Sequence, residues 1–148
     1  MPAPQTAMRW FTAVHQRLRK LLTPKSLGRR GEDAAARYLR KLGYIIVARA
    51  HRDSIGEIDL IAVDGRTIVF IEVKTRTTHD AGHPADAVDE AKQRRLTRLA
   101  LSYMKRHDLL DCAARFDVVA VTWPAPGRQT IEHFKNAFEP TGLSSMYS

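Results

Sequence analysis

Residues 56–74 read GEIDLIAVDGRTIVFIEVK, and the way this stretch folds decides the architecture of the chain. Two apolar runs flank Asp64-Gly65, a dipeptide favoured at the tip of a two-residue hairpin because a type I′ turn requires positive φ at both central residues. With that tip, Val63 faces Arg66, Asp59 lies opposite Phe70, and Glu57 lies opposite Glu72. Strand alternation then puts Glu57, Asp59, Glu72 and Lys74 on one face with Ile61, Val63, Ile68 and Phe70; Ile58, Leu60, Ile71 and Val73 take the other. Both faces are apolar, so the hairpin is expected to be covered on both sides, with charges intruding at one end.

Unpaired carboxylates at the end of a covered sheet would lose hydration worth roughly several kcal/mol, so they must meet a cation, a partner side chain or an open cleft. Asp59 and Glu72 are diagonal neighbours in this register, with Cβ atoms roughly 7–8 Å apart. Two carboxylates at that spacing can share one cation, and an all-oxygen donor set points to Mg2+ or Mn2+ rather than zinc or copper. Lys74, on the same face as Glu72, would stand beside such an ion and could orient or help deprotonate a bound water. The competing arrangement is a salt-bridge cluster in which Lys74 neutralises Glu72 while Arg76 or Arg52 pairs with Asp59.

Around the hairpin, a helix is expected from Ser26, with Ala35, Leu39 and Leu42 as its inward stripe and Gly43 as its stop. Glu32 falls on that stripe in the first turn, facing the core. YIIVARA (44–50) reads as a strand, and Thr77 to Pro84 as a loop rich in Gly, Pro, His and Asp. A long helix follows, with Val88, Leu96, Leu99, Ala100 and Tyr103 on one face. Its other faces hold Lys92, Arg94, Arg95, Arg98, Lys105 and Arg106, with no acid between 92 and 106. RFDVVAVTW (115–123) is a strand stopped by PAPG (124–127), and the tail from Thr130 reads as a short strand running into a short helix around His133–Phe138. Helix, three strands, helix, strand is the order of an α/β sandwich with a mixed sheet, because a strand that follows a long helix is usually a parallel crossover.

The 148 residues suit one domain preceded by an extension. Residues 1–25 read as a basic amphipathic helix with Trp10, Val14, Leu18 and Leu21 in its stripe, and residues 26–148 as the body. Packing of that helix on the body or a partner is favoured over a phosphate clamp or a membrane-surface role. Net charge is +8 and points to anionic partners; residues 1–31 carry seven cations and no acid, so the 17 left of 24 Lys and Arg nearly balance 16 Asp and Glu. A lone cysteine, Cys112, excludes an internal disulfide framework and fits a reducing, cytoplasmic setting; it is expected to be a buried small residue. No apolar run approaches the roughly 18 residues of a membrane span, so membrane association is not expected. His79 and His83 are broken by Gly82 and Pro84 and read as a solvated loop rather than a helical metal face. Ser54, Ser102 and Thr75 have no His and Asp partners that would form a hydrolase triad.

The stretches GRRGEDAAARYLRKLGY, GEIDLIAVDG, VFIEVKTR, KQRRL, RFDVVAV and KNAF, spread over roughly residues 26–139, resemble the bacterial YraN-type family of uncharacterised proteins. Asp followed by Glu-x-Lys on the next strand, with a Glu on the leading helix, also resembles the PD-(D/E)xK nuclease superfamily, most closely its archaeal Holliday-junction-resolvase branch. The resemblance implies a restriction-endonuclease-like αβββαβ core. It implies Glu32, Asp59 and Glu72 as acidic metal-site residues, with the Val73 carbonyl as a further ligand and Lys74 as the catalytic lysine. Lys92 becomes a substrate contact, and Arg94, Arg95, Arg98, Arg76 and Arg52 join it as nucleic-acid-binding candidates. The function implied is a Mg2+- or Mn2+-dependent endonuclease acting on DNA, branched or junction DNA included, with a two-fold homodimer by analogy with resolvases. The alternative is a non-catalytic nucleic-acid-binding or assembly module on the same fold. Two departures stand out: no Pro precedes Asp59, and Ala50 occupies a position where related chains usually show Asn.

Overall fold

The computed structural model describes residues 26–78, 82–83, 86, 88–125 and 128–142. The expected N-terminal helix and His79 lie outside these residues. The first helix, α1 (Leu27–Lys41), starts where the sequence signals it: the Ser26 hydroxyl accepts the Arg29 N–H at 3.3 Å. Arg40 and Lys41 favour the negative end of the helix dipole, and Gly43 at φ 92 turns the chain out. The helix begins at Leu27, so Glu32 sits in its second turn rather than its first.

Three antiparallel strands follow, β1 (Ile45–Arg52), β2 (Glu57–Asp64) and β3 (Thr67–Arg76). The second helix, α2 (Glu90–Arg106), is N-capped by Asp89, whose carboxylate accepts the Lys92 N–H at 2.8 Å. It carries the chain over to β4 (Ala114–Ala125), which pairs parallel with β3; β5 (Arg128–Phe138) returns antiparallel on β4. The sheet order is β1-β2-β3-β4-β5, the mixed α/β arrangement the element order predicts.

Each helix covers one face of the sheet. Ala34, Ala35, Ala36 and Leu39 of α1 pack on Leu60, Ala62, Val69, Ile71, Val119 and Val121. Leu96, Leu99 and Ala100 of α2 pack on Ile61, Phe70, Phe116 and Val118. Fully buried side chains such as Leu39, Leu60 and Leu99 each contribute about 1.5–3 kcal/mol of transfer free energy. Leu42, expected to face inward, is 51 % exposed, because α1 ends at Lys41 and its last turn overhangs the sheet. With Ile45 and Val47, exposed on the edge strand β1, it forms an apolar margin.

The hairpin turns one residue later than Asp64-Gly65 implies, which shifts the cross-strand pairing by two. Asp64 pairs with Thr67, Val63 with Ile68 and Ile61 with Phe70, leaving Gly65 and Arg66 as the tip. Gly65 has φ 61 while Arg66 is not in the left-handed region, the pattern of a type II′ turn. The reason is tertiary: the Asp64 carboxylate accepts a bond from the Arg115 guanidinium of β4 at 2.9 Å, which keeps Asp64 in its strand. A slip of two residues preserves side-chain parity, so most facing assignments hold. Ile58 is the exception and packs on the α2 side rather than with Leu60. The β2–β3 ladder stops at Leu60 and Ile71; beyond it the Asp59 carboxylate, not a backbone carbonyl, accepts the Val73 N–H at 2.8 Å as the strands part.

Three further expectations are corrected. His133–Phe138 continues as strand β5 instead of turning helical, because it is tied to a buried carboxylate. Asp117, fully buried, accepts the Asn136 N–H at 3.0 Å and Arg115 Nε at 3.0 Å, and His133 Nε2 lies 2.8 Å from it. β4 runs on through Pro124 to Ala125, a strand-end position where proline's missing donor is tolerated. Cys112 is exposed, in the turn before β4.

Candidate functional site

Three acids meet at one end of the sheet. Glu32 from α1, Glu57 from the start of β2 and Asp59 two residues on each offer a carboxylate oxygen within 4.8 Å of the others. Gly31 makes this possible, since only a residue without a side chain lets α1 settle against Thr75 of β3, and Glu32 follows it directly. Asp59 is fixed by its bond to the Val73 N–H. Glu57 is the cross-strand partner of Arg52, whose Nε donates to it at 3.0 Å.

Burial drives the electrostatics. The Asp59 carboxyl is pushed up to about 7 by desolvation first, then by the Glu72 and Glu32 charges, against the opposing pull of the Val73 N–H and Lys92. The Glu32 carboxyl is raised by desolvation and by Glu57, with Arg49 and Arg29 pulling the other way. Acids this close are costly to ionise without a compensating cation. All donors are carboxylate oxygens, a set suited to a hard divalent ion.

Glu72 stands beside this cluster rather than in it. It is buried, its Oε1 accepts a bond from Lys92 Nζ of α2, and Lys74 Nζ lies 3.5 Å away. Desolvation and the neighbouring Lys92 ammonium lower the Lys74 pKa; for Lys92, desolvation pulls down, but the bond and charge of Glu72 together with Lys74 and Asp59 raise the pKa overall. The structure brings Glu32 and Asp59 together, and Glu72 and Lys74 together with Lys92 as Glu72's nearest partner, whereas Asp59 and Glu72, expected to share one cation, do not fall in the same carboxylate cluster. The alternative in which Arg76 or Arg52 pairs with Asp59 is not what forms: Arg76 Nη1 donates to the Gly82 carbonyl at 2.7 Å, and Arg52 goes to Glu57. Glu57 is the residue the sequence reading leaves out of the site, although its place on the face of Asp59 was the available signal.

Two adjoining clefts open at the cluster. One, about 360 Å³, is lined by Arg29, Glu32, Asp33, Arg49 and Ala50; the other, about 480 Å³, by Ser26, Gly28, Arg29, Glu32, Ala50, Arg52 and Glu57. Arg49 is ion-paired with Asp33. Acidic floor and basic rim thus alternate within one depression. Ala50 lies in both clefts with φ 47, a left-handed conformation in which Asn or Gly is at home. On α2, Arg94, Arg95 and Arg98 are exposed; Arg94 pairs with Glu90, and the Arg95 stem lies near Gly56. No helix among the described residues is long and apolar enough to cross a membrane.

A five-stranded mixed sheet with a helix on each face and acids gathered at one end is an α/β fold consistent with a nuclease-like core. The chain belongs to the uncharacterised protein family UPF0102, whose family model matches residues 31–121 and so spans Glu32, Asp59, Glu72, Lys74 and Lys92. It is 54 % identical over 125 residues to a UPF0102 protein of Rhodopirellula baltica, covering 82 % of this chain and 75 % of that one. A UPF0102 protein of Geobacter sulfurreducens is 50 % identical over 115 residues, 78 % of this chain and 90 % of its own. One from Prosthecochloris aestuarii is 46 % identical over 126 residues, 79 % of this chain and 96 % of its own. These names carry family membership and no activity.

Proposed function

We propose that this chain is a Mg2+- or Mn2+-dependent nuclease-like protein that binds DNA and hydrolyses its phosphodiesters, branched DNA among its substrates. The observation that carries the reading is the meeting of Glu32, Glu57 and Asp59, from one helix and one strand, within 4.8 Å of one another. Those three would hold the metal, with Glu72 and the Val73 backbone next to them. Bound there, a hard divalent ion supplies charge neutralisation and polarisation at the attacked phosphoryl group. Lys74 Nζ, 3.5 Å from Glu72 Oε1, would stand beside the ion and orient an attacking water. Lys92, held charged by Glu72, and the exposed Arg94, Arg95 and Arg98 favour phosphates on the α2 side. Arg29, Arg49 and Arg52 do the same on the α1 side. A cytoplasmic location goes with this reading.

The test is incubation of purified protein with junction, flap and duplex DNA in Mn2+ or Mg2+. Cleavage that is abolished by Lys74→Ala supports the mechanism; cleavage indifferent to that change removes Lys74 from it. One observation favours a second reading, a non-catalytic nucleic-acid-binding or assembly module: Glu72 is neutralised within the chain by Lys92 and Lys74. Titration calorimetry separates the two, because Mn2+ binding that Asp59→Asn abolishes belongs to the first and absence of Mn2+ binding to the second.

A further inference from the structure

Arg52 and Glu57 face each other across β1 and β2, where the two strands end at the site. Arg52 Nε and Nη2 both bond Glu57 Oε2; the Arg52 side chain is 76 % exposed and that of Glu57 30 %. A guanidinium that stands mostly in water thus neutralises one of the three clustered carboxylates, and both residues line the larger cleft with Arg29 and Glu32. So exposed a pair is weak and easily exchanged. The two groups want different partners. Glu57 is a hard oxygen donor suited to a divalent ion, and Arg52 is a planar donor suited to a phosphate.

We propose that Arg52 is an exchange residue: when Glu57 ligates a divalent cation, Arg52 is released from it and turns to a phosphate of the bound nucleic acid. The inference rests on the metal-site reading above and adds its consequence, that cation and polyanion bind this protein cooperatively. Each ligand removes the group that competes with the other, and linkage makes the effect reciprocal. Lys92 on Glu72 is the same arrangement on the α2 side, more buried and so slower to exchange. The exchange also leaves a signature in ionic strength: one added phosphate contact steepens the dependence of log affinity on log salt by about 0.9.

The experiment uses the full chain and a fluorescein-labelled phosphorothioate duplex, which resists cleavage. Affinity is read by anisotropy across a salt series with Mn2+ or with EDTA, and Mn2+ affinity by calorimetry without DNA. For the unaltered chain, Mn2+ is expected to tighten DNA binding by about tenfold and to steepen the salt slope by about one contact. In Arg52→Gln the added salt slope should vanish and the tightening should shrink to the ion's own contribution at the phosphate, while Mn2+ alone binds several-fold tighter, because Glu57 has lost its competitor; Arg52→Lys should recover part of the tightening. Mn2+ binding that leaves DNA affinity and salt slope unchanged overturns the exchange, as does an Arg52→Gln chain that keeps the full tightening. Absence of any Mn2+ binding by the unaltered chain overturns the metal-site reading itself.

Discussion

Gly31 of α1 lies so close to Thr75 of β3 that a Cβ at position 31 would stand 1.9 Å from the threonine Oγ1. Glu32 follows Gly31 and Lys74 precedes Thr75, so this contact sets how near the helix carboxylate comes to the strand that bears Glu72 and Lys74. Gly31→Ala is expected to destabilise the fold by about 1–3 kcal/mol through overpacking and to weaken Mn2+ binding as Glu32 is pushed out. Thr75→Ala in the same chain removes the nearest atom and should recover part of both losses. Urea denaturation and calorimetry on the two chains check this; a Gly31→Ala protein with unchanged midpoint and Mn2+ affinity would contradict it.

Ala50 is held at φ 47 with a side chain that disfavours it. Replacing it with Gly or Asn should stabilise the protein by about 1 kcal/mol, the order of the left-handed penalty for an L-residue. A shift of the urea midpoint to higher concentration, with unchanged slope, is the expected result; a lower midpoint would show that the kink is not what strains the strand.

Asp59 makes the isolated protein sensitive to pH. Its folded-state pKa of about 7 lies above the ordinary value of 3.8, so between these values the folded chain holds a proton that the unfolded chain has lost. Stability from this group is fully present below about pH 4 and declines as pH rises through 7, by on the order of a few kcal/mol. Asp59→Asn should flatten that decline and leave the metal-free protein more stable at pH 8 than the unaltered chain. Mn2+ binding, which needs the carboxylate, should strengthen over the same rise. Denaturation at pH 5.5 and 8 in EDTA reads the first effect, and calorimetry the second.

Asp117 works in the opposite direction. Desolvation alone would raise its pKa, but His133, Arg115 and the Asn136 N–H hold it below the usual range. Its contribution is present at neutral pH and is lost as pH falls through the folded-state value. Asp117→Leu removes the buried acceptor of His133 and leaves Arg115 only Asp64 and Tyr44, and should cost about 3–5 kcal/mol, the usual cost of breaking a buried pair. A thermal melt near that of the unaltered chain would show the network to be dispensable.

Much of this molecule is legible along the chain because its signals are local. Ser26 and Gly43 bound α1, Asp89 caps α2, and apolar runs mark β1 to β4. The convergence of Glu32 with Asp59 follows from a helix stripe and a strand face, both periodic. What escapes is set by contacts distant in sequence. The true hairpin tip depends on Arg115 reaching back 51 residues to Asp64. β5 keeps its extended form through Phe138 because His133 and Asn136 find a carboxylate on the neighbouring strand. Glu57 joins the acids where β2 and β3 part, a splay that Asp59 creates by bonding the Val73 N–H in place of a ladder partner.

That the tip moves by one residue, shifting the pairing by two, and leaves nearly every side chain on its own face also bears on how the family can vary. Insertions or deletions at Gly65-Arg66 in even steps lengthen or shorten the hairpin while its acids stay with the acids. An odd step would invert the strand beyond it, turning carboxylates into one hydrophobic layer and isoleucines toward the other's clefts. Length change in this loop is therefore expected to come in pairs among relatives that keep the site.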